Sequence, residues 1–314
     1  MEIEVIIYIL VGLGIFFALP STIYTFMFLG IFYRRRVVML EKDNIKNTHY
    51  YPFSRQLKRD ILYAREIPCE NVTIKAQDGV LLFARYYNKN SNKTIIFVHG
   101  YQSNAFNNFS TAMIDFLNWG YNVLLIDQRA HGNSGGRFTT LGCKEKEDLQ
   151  LWISYIDSKI EVTDIIVYGI SMGATTVGYT AENIKTNKVK GLIMEAGFTC
   201  FYDELICSFG RVFLKQAALN YVYLMAKIVL GIDIKQSIES SLKNNKIPIL
   251  FLHGDNDKEV PLEFTEKNYF ACASTKEIIA VEGAGHTLCY ITGGQSLQKK
   301  INNFIEKCID KKDK

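Results

Sequence analysis

Charge is missing from one long stretch: Val5 to Tyr33 contains no Asp, Glu, Lys or Arg. A helix of that length would reach about 43 Å, against a hydrocarbon layer of about 30 Å, so one tilted or kinked membrane crossing is expected, with Pro20 at the kink. A cleaved signal peptide does not fit, because Glu2 and Glu4 stand where a basic region belongs and no A-x-A site precedes Arg34. Two short segments hinged at Pro20 and dipping into one leaflet form the alternative. Arg34, Arg35 and Arg36 follow the apolar run directly, and basic flanks stay on the cytoplasmic side, so the bulk of the chain is expected to face the cytoplasm. The seven cysteines include no Cys-x-x-Cys pair, which argues against a disulfide framework or a zinc site and suits a reducing compartment. No internal repeat or low-complexity segment is present. The net charge of +4 is mild; it favours contact with anionic lipid headgroups over nucleic acid.

What is present divides into three parts. Residues 1–36 form the expected transmembrane anchor with its basic flank, and residues 37–69 a linker that ends in a basic helix. In that helix, between Pro52 and Arg65, Leu57, Ile61 and Leu62 recur at helical spacing. It suits either a membrane surface or a connecting helix packed on the domain. Residues 70–314 then form one catalytic-sized domain. Two strands around Asp78-Gly79 open it as a hairpin. Short apolar segments at Lys93–Gly100, Tyr121–Asp127, Asp164–Gly169, Val189–Glu195, Ile247–His253 and Lys276–Val281 follow, separated by helical candidates. That alternation predicts an α/β architecture with a mostly parallel central sheet flanked by helices. One connection, about residues 199–245, is too long for a loop. Its aromatic residues Phe201, Tyr202, Phe209, Phe213, Tyr221 and Tyr223 predict a helical lid.

Open α/β sheets place their sites beyond the carboxyl ends of the strands. At one such end stands Gly169-Ile-Ser171-Met-Gly173, where a strand turns sharply into a helix and the glycines remove the side chains that would collide. Ser171 is thereby presented as a nucleophile. A serine hydroxyl needs a base at neutral pH, usually a histidine oriented by a carboxylate. His286 follows the last strand in Glu282-Gly-Ala-Gly-His286, and the preceding strand ends in His253-Gly-Asp255-Asn-Asp257. The order serine, carboxylate, histidine results. Cys289 reads as a packed thiol, and His49 has no partner in the sequence.

Taken together, His99-Gly-Tyr101, Gly169-x-Ser171-x-Gly173, His253-Gly-x-x-Asp257-x-x-Val-Pro261 and Gly285-His286 resemble the α/β-hydrolase superfamily. The likeness is to its serine-aminopeptidase-like and lysophospholipase-like hydrolases, some of which carry an N-terminal membrane anchor. The resemblance spans Glu70 to the C-terminus and implies Ser171, Asp257 and His286 as the catalytic triad. Asp255 then supports the turn, and Glu195 is a more distant candidate for the acid. It also implies an oxyanion hole from the backbone N–H groups of Tyr101 and Met172. The implied protein is a single-pass, membrane-anchored serine esterase acting on acyl esters or lipid-like substrates, without metal, organic cofactor or obligate protein partner. A serine peptidase, with Asp203 and Glu204 receiving an N-terminal amine, is the alternative, followed by an inert binding protein on the same fold.

Overall fold

The computed structural model describes Tyr8 and residues 21–37, 39–42, 45–46, 48–208 and 215–310. Its eight strands are β1 (Glu70–Lys75), β2 (Leu81–Tyr87), β3 (Lys93–Val98), β4 (Asn122–Asp127), β5 (Asp164–Ile170), β6 (Val189–Glu195), β7 (Ile249–Gly254) and β8 (Lys276–Val281). They lie in one sheet in the order β1-β2-β4-β3-β5-β6-β7-β8. The hairpin pair β1 and β2 and the neighbouring pair β2 and β4 are antiparallel, and every later pairing is parallel. The parallel strands are aliphatic on both faces because both faces are covered.

Helices α2 (Ser54–Glu66), α3 (Ala105–Asn118) and α10 (Cys289–Asp310) contribute to the core on one face. On the other face stand α4 (Glu145–Asp157), α5 (Met172–Thr180) and α8 (Glu239–Asn244), with α9 (Leu262–Ala271) beside β7. The basic helix of the linker is α2. It packs on the domain, burying Leu57 and Ile61 and tying Asp60 to Thr111 of α3 at 2.8 Å, while Leu62 stays exposed. Between β6 and β7 the chain forms α6 (Phe201–Ser208), α7 (Lys215–Met225), a π-helical turn (Ala226–Leu230) and α8. Phe209 and Phe213 of the expected lid lie outside the described residues.

Residues 21–32 form a helix, α1, and it rests on protein: Phe28 and Phe32 are 2% and 0% exposed, in one apolar cluster with Met172, Phe198, Phe201 and Val222. Residues 21–32 of the expected crossing thus bury one face against the insertion. Among the described residues no helix is long and apolar enough to cross a membrane. Residues 5–7 and 9–20 of the expected crossing lie outside the described ones.

Candidate active site

Ser171 occupies the single residue between β5 and α5, with φ +54° and ψ −120°. A non-glycine residue held there is strained, and such strain persists only where neighbours enforce it. Here the Ser171 amide donates to Glu195 O at 2.8 Å and the Thr175 amide to Ser171 O at 3.0 Å. The flanking glycines are needed for approach: a Cβ on Gly173 would overlap the Val98 carbonyl, and one on Gly169 would overlap Gly173 itself. The start of α5 is thereby pressed against the end of β3, and the serine is lifted beyond the strand ends.

The structure brings His286 and Asp257 to that serine. His286 Nδ1 stands 2.7 Å from Asp257 Oδ2, and its Nε2 lies 3.0 Å from Ser171 Oγ. With Nδ1–H donating to the carboxylate, Nε2 is left to accept from the hydroxyl. Asp257 is fixed in turn by the amides of Glu259 and Val260, which donate to Oδ1 at 2.9 and 3.0 Å. Burial alone would raise the Asp257 carboxyl, yet the His286 contact and those two amides outweigh it and hold the group below its ordinary range. Burial likewise opposes charging His286, but the bond to Asp257 and the charges of Asp257, Glu259 and Glu195 leave the imidazole above its ordinary value.

The other candidate carboxylates are engaged elsewhere. Asp255 accepts the Gly283 amide at 2.7 Å, tying the loop after β7 to the turn after β8. Glu195, 0% exposed, accepts from the Tyr168 hydroxyl and from the Cys289 amide, and burial raises its carboxyl. It anchors the start of α10, just beyond His286. Met172 opens α5, so its amide precedes the first intrahelical bond. Gly100, next to Tyr101, comes so close that a Cβ there would sit 3.3 Å from Ser171 Cβ. His99 and His131 shape the adjoining loops: His99 Nε2 accepts from Gln128 N at 3.0 Å and His131 Nε2 from Gln102 N at 3.1 Å. Burial pushes His99 down to about 3, so it is neutral.

Ser171 and His286 open into a cavity of about 620 Å³ whose walls include Tyr101, Leu141, Phe198, Phe201, Leu205 and Val260. Glu204 and Glu259 also line it, whereas Asp203 borders a separate polar cleft with Lys235 and Glu239. Sequence reasoning missed three residues here. Glu259, in the same loop as Asp257, was within reach of inspection; Ile31 and Tyr50, both cavity-lining, precede the domain and carried no signal. Among the described residues no group of three or more His, Cys, Asp or Glu side chains is arranged to hold a metal ion.

Residues 89–231 match the family model described as serine aminopeptidase, S33, and residues 231–313 match that of TAP-like proteins. Over 232 residues the chain is 28% identical to the YqkD protein of Bacillus subtilis (strain 168), covering 69% of this chain and 72% of that one. It is 23% identical to the lysophosphatidylserine lipase ABHD12 of Danio rerio over 231 residues, 71% of this chain and 58% of the relative. The esterase Pf2001 of Pyrococcus furiosus superposes with a TM-score of 0.60 at 23% identity, over 79% of this chain and 94% of that one. The two matches together span residues 89–313, and the chain has the α/β-hydrolase fold. In this chain the two matches meet at residue 231, directly after the π-helical turn Ala226–Leu230. The helical insertion thus falls where the two family descriptions join, and the loops carrying Asp257 and His286 belong to the second.

Proposed function

We propose that this α/β-hydrolase is a serine esterase that cleaves acyl esters of lipid-like alcohols through an acyl-enzyme. Ser171 attacks the acyl carbonyl while His286 Nε2 takes its proton. Asp257 holds the ring in the required tautomer and stabilises the imidazolium. The proton then passes to the departing alcohol, and water, activated by the same imidazole, releases the acid. The amides of Tyr101 and Met172 receive the oxyanion, and the positive end of α5 adds to their field. The observation that carries this reading is the unbroken relay from Asp257 Oδ2 through His286 to Ser171 Oγ, at 2.7 and 3.0 Å.

The apolar walls of the cavity favour an acyl chain over a peptide. The lipase and esterase named among the similar proteins support the same choice. Membrane attachment through the residues ahead of α1, with the hydrolase domain on the cytoplasmic side, is part of the proposal and rests on the uncharged run followed by Arg34–Arg36. Ser171→Ala in the full-length, detergent-solubilised protein is the test. It is expected to abolish labelling by a fluorophosphonate probe and to cut ester turnover by about 10⁶-fold, as when a triad acts as a unit. Retained turnover would rule the mechanism out.

Peptidase activity is the second reading, favoured by Glu204 on the cavity wall. Comparing p-nitrophenyl esters with aminoacyl amides separates the two: preferential cleavage of amides bearing a free amine would replace the esterase reading.

A further inference from the structure

Helix α1 is docked by several independent contacts. The Thr139 amide donates to Phe32 O at 2.9 Å and the Arg34 amide to Arg137 O at 2.8 Å, which fixes its position along its axis. Phe28 packs on Phe138 and Phe32 on Phe201, with ring centroids 6.3 and 6.2 Å apart, and the Thr25 and Tyr221 hydroxyls meet at 2.6 Å. These contacts set the rotation of the helix. The consequence falls on Ile31. Ile31 lines the cavity that holds Ser171, and its carbonyl accepts from the Tyr101 hydroxyl at 2.6 Å, so helix and oxyanion loop are joined at the same residue.

We propose that Ile31 is a specificity-determining residue that sets how long an acyl chain the site accepts, so that α1 is a wall of the substrate pocket as well as part of the N-terminal segment. This rests on the acyl-ester reading above. A β-branched side chain on a helix held at Thr25, Phe28 and Phe32 has little freedom to yield, and Ile31 lines the same cavity as Leu141, Phe198, Phe201 and Leu205. Volume added at position 31 must therefore come out of the space left for substrate. In apolar pockets one methylene changes discrimination by about 10- to 200-fold, so a wall moved by several carbon atoms is measurable. It also follows that removing residues up to 37 to detach the protein from membranes would open the pocket.

The test measures kcat/KM for p-nitrophenyl esters from acetate to laurate with the full-length protein in detergent, unaltered and as Ile31→Ala and Ile31→Trp. Ile31→Trp is expected to lower the laurate-to-acetate ratio by at least about 10-fold and Ile31→Ala to raise it, with fluorophosphonate labelling of Ser171 kept. If the tryptophan variant does not fold, the direction of the alanine variant decides. Ratios that stay constant while all esters change together would overturn the role of Ile31 and leave the esterase reading standing. No labelling and no ester turnover in the unaltered protein would remove that reading, and this inference with it.

Discussion

His49, in the linker, is paired with Glu259, in the loop that carries Asp257: Nδ1 of the imidazole stands 3.1 Å from Oε1 of the carboxylate. The other oxygen of Glu259 lies 4.0 Å from His286 Nε2, the atom that stands 3.0 Å from Ser171 Oγ. His49 thus holds a second carboxylate beside His286, near but out of contact.

The pH profile follows from this arrangement. The charged and titratable groups around His286 are Asp257 and Glu259 from the loop after β7, Glu195 at the end of β6, His253 on β7, Glu204 on α6 and His49 from the linker. The net effect raises the imidazole, and in the proposed mechanism His286 takes the serine proton only when neutral. Ester turnover should therefore rise with pH through a midpoint above the ordinary histidine value of about 6.5. Glu259→Gln removes one stabilising charge and should lower that midpoint. The change should stay under about one pH unit and shrink in high salt, since the Glu259 side chain is 55% exposed and screened. His49→Ala frees the carboxylate to approach Nε2 and should raise the midpoint. Identical midpoints in all three proteins would show that Glu259 does not act on His286.

Two carboxylates near the histidine are separated by paired substitutions. Asp257→Asn keeps the shape but favours the wrong tautomer, so kcat for ester hydrolysis should fall by about 10⁴-fold. Glu195→Gln retains an acceptor for the Cys289 amide and should leave turnover within about 10-fold, whereas Glu195→Ala orphans that buried amide and should cost about 1–3 kcal/mol of stability in urea unfolding. A collapse of turnover in Glu195→Gln, with Asp257→Asn little affected, would reassign the acid.

The same groups make stability depend on pH in opposite directions. The depressed Asp257 contributes stability that is present above about pH 3.9 and lost as pH falls through its folded value. The raised His286 contributes stability present below about pH 6.5 and lost as pH rises through its folded value. Urea midpoints of Asp257→Asn should therefore show a flatter decline in acid than those of the unaltered protein; an equally steep decline would place the acid-labile contribution elsewhere.

Gly173→Ala tests the close approach of α5 to β3. Its methyl group would overlap the Val98 carbonyl, which belongs to backbone and cannot rotate aside, so a loss of at least about 3 kcal/mol is expected, in the upper range of overpacking. Unchanged urea unfolding would mean the helix start can shift.

The alternation of aliphatic strands with helices was legible because a parallel sheet covered on both faces leaves its mark in local composition. Edges moved by a residue or two where local chemistry intervened: β7 begins at Ile249, after Pro248, which has no amide to donate. That the last part of the uncharged stretch packs on protein was not legible, for a physical reason. Phe28 and Phe32 are apolar whether they face lipid or protein, and hydropathy does not distinguish the two environments. His49 offered nothing by itself, since its partner Glu259 follows far along the chain and is reached only through the fold.

By itself the sequence determined the order of strands and helices, the sharp turn that lifts Ser171, and the set of acids and bases at the strand ends, because each depends on neighbours in the chain. Only the tertiary structure decided that Asp257 rather than Asp255 or Glu195 faces the imidazole, that α1 leans over the pocket, and that Glu259 is held beside His286. Those relationships join side chains from remote segments, and they follow from how the packed layers bring loop ends together.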